Sequence, residues 1–214
     1  HELNQPITAL VSYLRACELL APGDNERLRA TLDKSVREAI RASDVLHRLR
    51  DFYQGSPPRG GPIRPSDLCR TVVAAFAERC RQAEAQLEFV DDPAAPMINA
   101  DATQLEIVLH NLLANALEAV AGVRADQRRI VLTLAHDVEH LTITVEDSGA
   151  GVMPAMERVL FQPFVTDKVH GMGLGLAISQ SLARAHGGDL VLQPGGQLGG
   201  ARFVASLPLA PASR

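Results

Sequence analysis

The stretch Gln54-Gly55-Ser56-Pro57-Pro58-Arg59-Gly60-Gly61-Pro62 limits the fold of this chain more than any other feature. Three prolines and three glycines in nine residues stop a helix and leave almost no side chain to pack. The chain therefore reads as two pieces, residues 1–53 and residues 63–208, joined by a linker at 54–62. Residues 209–214 read as a tail.

The first piece carries two heptad seams. Leu3, Ile7, Leu10, Leu14 and Cys17 alternate at spacings of four and three, which is the apolar repeat of packed helices. Pro22-Gly23 breaks that helix, and Asp24 suits the N-cap of the next. The second seam runs Leu28, Leu32, Ser35, Ala39, Ala42, Leu46, Leu49, Tyr53, with Val36 and Ile40 widening it. A hairpin of ~50 residues is too small to bury two such faces alone. Pairing with a second copy as a four-helix bundle buries both, so a homodimer is expected.

The second piece mixes periods of 3.6 and 2. Ser66 suits the cap of a helix to about Ala83, and Asp101 the cap of a helix to about Ala121. Residues 173–186 also read as helix. Strand patterns fall at 86–90, 97–99, 130–136, 141–147, 190–192 and 202–207. The fold class is α+β: a helical hairpin followed by an α/β sandwich with helices on one face of a sheet.

Composition removes several function classes. With 46% apolar and 21% charged residues, the chain is globular rather than disordered. A net charge of −4 and 4% aromatic residues argue against a nucleic-acid partner. No apolar run approaches the ~18 residues of a membrane span, and no secretory signal is visible. Cys17, Cys69 and Cys80 form an odd set without metal spacing, so they read as reduced thiols of a cytoplasmic protein and as small packing residues. The chain opens at His1 inside a helical pattern, so a longer protein is expected. Any membrane anchor would precede His1.

Four local patterns carry chemistry. On the helix from Asp101, Asn111, Asn115 and Glu118 form a polar stripe beside the apolar positions Leu105, Leu109, Leu112, Ala116 and Ala119. Asn is a poor helix former, so the stripe is either a plain polar face or a set of amide oxygens for a hard cation such as Mg²⁺. A strand ends in Asp147-Ser148-Gly149-Ala150-Gly151. A carboxylate there accepts a hydrogen bond from an exocyclic amine such as that of adenine, and glycines let backbone approach a flat ligand. A tight turn explains the same residues. Gly171-Met172-Gly173-Leu174-Gly175 runs into a helix, where backbone N–H groups attract an anion. Just before it, Phe161 and Phe164 offer two apolar anchors and Lys168 a cation. Finally, His1 falls outside the seam, with Glu2 beside it to orient the imidazole, and Pro6 bends the helix.

Taken in order, His-Glu-x-x-x-Pro, Asn-x₃-Asn, Asp-x-Gly-x-Gly, Phe-x₂-Phe and Gly-x-Gly-x-Gly resemble the H, N, G1, F and G2 boxes of the sensor histidine kinases of two-component signalling. The resemblance covers His1 to about Pro208. His1-Glu2-Leu3-Asn4-Gln5-Pro6 and Arg48-Leu49-Arg50-Asp51-Phe52 are most similar to the FixL and dicarboxylate-sensor subgroup. The resemblance implies a dimerisation and phosphotransfer hairpin followed by a Bergerat-type ATP-binding domain. It implies His1 as phosphoacceptor and Glu2 as its acid/base partner. It implies Asn115 as the Mg²⁺ ligand, with Asn111 helping to hold metal and phosphates. Asp147 would bind adenine in a pocket shaped by Gly149 and Gly151. Lys168, Gly171, Gly173 and Gly175 would face the phosphates. ATP and Mg²⁺ are the implied cofactors. A response-regulator receiver domain is the implied partner, and a sensor domain would lie N-terminal to His1. Glu118 stands where many relatives carry Lys, and Gln5 where relatives that also dephosphorylate their partner often carry Thr or Asn. The resemblance therefore implies neither the phosphate contact of that Lys nor a phosphatase activity.

Two rivals remain. Gyrase- and Hsp90-like ATPases carry a Glu one turn before the metal-binding Asn, as base for water. Asn111 occupies that place, and an amide cannot take a proton. An inactive dimeric scaffold of the same fold would be expected to have lost a box, and none is lost here.

Overall fold

The computed structural model describes residues 60–166, 173–194 and 196–209, with Leu14, Cys17 and Leu32 as single helical positions. The readings placed on the rest of 1–59, including His1 and Glu2, and on Lys168, Gly171 and the chain beyond Leu209, lie outside the described residues. The chain divides into two compact units, His1–Ser56 and Pro57–Arg214. Cys69 and Cys80 are buried, as packing residues should be, and burial pushes the Cys69 thiol up to about 12. Cys17 is exposed, against expectation. The cover expected for it was a dimer seam, which one chain does not supply.

The second unit begins earlier than the sequence suggested. Strand β1, Gly61–Ile63, pairs antiparallel with β3, Ile98–Ala100. Gly61 and Pro62 thus belong to the fold and not to a linker. Helix α1, Pro65–Gln82, starts on Pro65 at its first position, with Arg64 as N-cap. Ser66 is therefore buried inside the first turn rather than capping it. Strand β2, Gln86–Val90, follows. Strand β3 sits one residue later than its pattern suggested. That shift turns Met97 outward, 55% exposed, and puts Ile98 and Ala100 inside.

Helix α2, Ala102–Val120, is capped by Asp101, whose Oδ1 accepts from the Gln104 N–H at 3.2 Å. A 3₁₀ turn, Ala125–Gln127, leads to β4, Arg129–His136, and β5, His140–Asp147. Asp137 closes that hairpin by accepting from the N–H groups of Glu139 and His140, which holds its carboxyl below the usual range. A short helix α3, Pro154–Glu157, was not legible in the pattern. Helix α4, Gly175–Ala185, and strands β6, Asp189–Leu192, and β7, Arg202–Pro208, complete the unit. Leu209 still donates to the Glu139 carbonyl, so the tail starts after it.

The main sheet runs β2-β4-β5-β7-β6. Only β2 and β4 are parallel, because β3 and α2 lie between them in sequence. Helices α1, α2 and α4 pack together and against one sheet face. There Leu105, Leu109 and Leu112 of α2 meet a layer that includes Ile130, Leu132, Leu141, Ile143, Val145 and Leu207, all buried. Each such side chain contributes about 1.5–3 kcal/mol. This core fixes α2 above the end of β5, which is where the chemistry sits.

Candidate nucleotide-binding site

Strand β5 delivers Asp147 to the edge of the core. Asp147 is its last residue, pairs with Ile130, and is 3% exposed. Its Oδ1 accepts from the Gly149 N–H at 2.8 Å and the Ala201 N–H at 3.3 Å. Its own N–H donates to the Ala201 carbonyl, and its carbonyl accepts from the Gly200 N–H. Among the described residues nothing donates to Oδ2. Burial pushes the carboxyl above the usual range, the two N–H groups pull the other way, and the charge of Glu146 adds to the rise. The result is a buried acceptor with one oxygen fixed and the other open to a ligand donor.

Gly149 brings this carboxylate under α2. A Cβ there would lie 2.8 Å from the Asp147 Oδ1 and 2.9 Å from the Ala119 Cβ. No larger residue fits between strand end and helix. Gly151 follows at φ +75°, turning the chain away. The missed members of this end are Gly200 and Ala201, which sit before β7. No local pattern marks them: the β5–β7 pairing brings them to Asp147, where a Cβ on Gly200 would collide with the carboxylate.

The other end is built by α2 and α4. Asn111 is 8% exposed, and its amide donates to the Gly175 carbonyl at 3.2 Å and the Ser179 Oγ at 3.1 Å. The Asn111 amino group thus ties α2 to α4. Asn115 is half-buried one turn on, and Glu118 is exposed. Among the described residues no side chain caps helix α4 at Gly175, and the first N–H groups of a helix attract an anion. Gly173, at φ +63°, accepts from the Phe164 N–H at 3.0 Å, and a Cβ on it would lie 2.5 Å from the Val165 carbonyl oxygen.

The two phenylalanines do not act alike. Phe161 is half-buried with its ring edge-on to Phe203, centroids 6.4 Å apart. Phe164 is 67% exposed at φ +66°. That conformation turns its N–H to Gly173 and its ring to solvent, so only one of the expected anchors packs.

One line on α2 joins the two ends. Asn111, Asn115 and Ala119 follow at spacings of four, which on a helix is a row of ~12 Å from α4 to the Asp147 loop. A base at one end and a phosphate chain at the other would span it. Two shallow hollows on the sheet, both bordered by Thr144 and Arg202, touch none of these residues.

Residues 100–211 match the family model described as Histidine kinase-, DNA gyrase B-, and HSP90-like ATPase. The chain belongs to this family. It is 35% identical to the sensor protein FixL of Bradyrhizobium diazoefficiens over 98% of this chain and 42% of that one. It is 32% identical to the C4-dicarboxylate transport sensor protein DctS of Rhodobacter capsulatus, over 98% of this chain and 32% of that one. The nucleotide-free catalytic domain of histidine kinase ThkA superposes with a TM-score of 0.64 at 27% identity, covering 73% of this chain and 99% of that one. The chain thus carries the ATP-binding core of a sensor histidine kinase and spans less than half the length of its two curated relatives. Among the described residues no helix is long and apolar enough to cross a membrane.

Proposed function

We propose that this chain is the kinase core of a two-component sensor: it binds Mg-ATP, transfers the γ-phosphoryl group to His1 and passes it to an aspartate of a response-regulator receiver domain. The observation that carries the reading is Asp147, a buried carboxylate whose Oδ1 is fixed by two N–H groups while Oδ2 takes no hydrogen bond from the described residues. A purine with an exocyclic amine fits that acceptor. Gly149 and Gly200 let the surrounding backbone close on this carboxylate, since a Cβ on either would collide with its Oδ1.

The donor set also fits a magnesium nucleotide. Asn115 offers a hard amide oxygen on the α2 row, and Mg²⁺ needs few protein ligands when phosphates supply the rest. When bound, the ion neutralises charge on the phosphate chain. The chain's own residues do the positioning. Asp147 orients the base, the start of α4 faces the phosphates, and Gly171, Gly173, Gly175 and Lys168 line that side. On His1, Nε2 attacks the γ-phosphorus in line, ADP departs, and the ring proton passes to Glu2, which leaves a phosphoramidate. Residues 1–53 form the dimerisation hairpin, paired as a four-helix bundle, and the outer face around His1 docks the regulator. A sensor domain precedes the hairpin in the full protein. The segment before β1 lets the ATP domain reach His1 and leave again, so stiffening it slows phosphorylation and spares ATP binding.

The test is incubation with γ-labelled Mg-ATP, on the chain with residues restored upstream of His1 and on its His1→Gln variant. Acid-labile, base-stable label in the parent alone is the expected result. Label that survives in His1→Gln assigns the acceptor elsewhere. Bound ATP with no label supports an inactive scaffold instead.

A further inference from the structure

We infer that Ser148, the variable position of the Asp-x-Gly-x-Gly pattern, is the positioning residue that sets the orientation of Asp147 and so the preference for adenine. The inference rests on the ATP reading above. The Ser148 hydroxyl accepts from the Arg129 N–H at 2.8 Å and donates to the Gln127 carbonyl at 2.7 Å. Its backbone N–H donates to the Arg129 carbonyl at 3.0 Å. Three bonds therefore continue the β4–β5 ladder one residue beyond its last pair, Ile130 with Asp147. The residue they hold is the one between the carboxylate and the Gly149 N–H that fixes its Oδ1.

The anchor is itself tied down. Arg128, between the two partners of Ser148, donates from Nε to the Val123 carbonyl at 2.9 Å, from Nη1 to the Ala83 carbonyl at 2.7 Å and from Nη2 to the Ala121 carbonyl at 3.3 Å. Its guanidinium thus satisfies carbonyls just beyond α1 and α2, groups that helices leave unpaired. Ala121 lies two residues from Ala119, the wall that Gly149 faces. A closed ring results, from Ala119 through Ala121, Arg128 and the Gln127–Arg129 backbone to Ser148 and Gly149. This ring fixes the gap between α2 and the Asp147 loop. It holds the Gly149 N–H on Oδ1 and leaves Oδ2 in one direction. Adenine presents an amine to such an acceptor, whereas guanine presents a carbonyl oxygen and is repelled.

Without the hydroxyl, Gly149 drifts and Asp147 rotates, so discrimination falls before the fold does. Isothermal titration of Mg-ATP and Mg-GTP into the parent, Ser148→Ala and Ser148→Thr, with thermal unfolding of each, tests this. Ser148→Ala is expected to bind Mg-ATP about tenfold more weakly, as for one lost orienting hydrogen bond. Its ATP/GTP ratio narrows by a similar factor. Ser148→Thr keeps the hydroxyl and stays close to the parent. If Ser148→Ala does not fold, Ser148→Cys fills the space with a poor hydrogen-bonding group and carries the same comparison. Unchanged ATP affinity, or equal losses for both nucleotides, overturns the role given to Ser148 alone. A parent that binds neither nucleotide overturns the ATP reading and the inference with it.

Discussion

The two ends of the candidate site are built to different standards. At the Asp147 end, residues more than fifty apart in sequence share three hydrogen bonds, Asp147 with Ala201 twice and with Gly200, and a fourth, local bond joins Asp147 to Gly149. The carboxylate is buried and the walls are glycine, placed where a side chain would collide. At the Gly173–Gly175 end, the ties seen among the described residues include a backbone bond from Phe164 and the Asn111 amide. An exposed phenylalanine there holds a left-handed conformation that costs about 1–2 kcal/mol. The difference teaches where a binding site keeps its specificity and where it keeps its freedom. A base is recognised by rigid donors and acceptors, while a phosphate chain that must enter and leave needs a wall held by few bonds.

The comparison breaks first at Asp147. Asp147→Asn is expected to lower Mg-ATP affinity about 100-fold, the loss typical of a hydrogen bond to a charged group. Calorimetry reads it. Because burial raises the Asp147 pKa above its unfolded value, the folded state holds the proton longer. Stability therefore declines as pH rises from the unfolded pKa through the folded one, and stays lower above it. Asp147→Asn removes that decline, so without nucleotide its melting temperature at neutral pH should match or exceed the parent's. In the parent, Mg-ATP affinity should fall on acidification with a midpoint above that of an ordinary aspartate.

A second test exchanges a helix tie. Asn111→Asp sets a carboxylate against the Gly175 carbonyl and loses the donor to Ser179, which is expected to cost about 2–3 kcal/mol in denaturant unfolding. Next come the glycines. Gly149→Ala forces α2 from the strand end and should lower both melting temperature and ATP affinity. Gly173→Ala meets the Val165 backbone at an exposed segment and should lower ATP affinity about tenfold with little change in melting temperature. Equal effects at the two positions would dissolve the contrast. The smallest effect falls on the phenylalanines. Phe161→Ala should cost about 1–2 kcal/mol through its lost edge contact. Phe164→Gly relieves its backbone and should be neutral to stabilising by up to about 1 kcal/mol. Thermal unfolding separates them.

The sequence was most legible where periodicity and chemistry agree. Asp101 capped its helix, and the 130–136 and 141–147 alternations became β4 and β5 with Asp147 at the end. Short elements were read less well, because few residues carry too little period to set a face. The strand at 97–99 slid by one residue, and β1 was hidden inside a stretch whose Gly and Pro content suggested a linker. At the site, the carboxylate and its glycines were visible as a local pattern. The partners Gly200 and Ala201 were not, since only the β5–β7 pairing brings them to Asp147. The bonds that Asn111 donates to Gly175 and Ser179 were hidden in the same way, since they join residues more than sixty apart.

Amide hydrogen exchange with and without Mg-ATP bears on the claim of a preformed base end and a phosphate end completed by nucleotide. The amides of Asp147, Gly149, Gly200 and Ala201 are expected to be already slow without nucleotide and to change little. Those of Gly175, Leu176 and Ala177 at the start of α4 should slow markedly when Mg-ATP binds. Fast exchange at Asp147 and Gly149 before binding, or no change at the start of α4 after it, would contradict the claim.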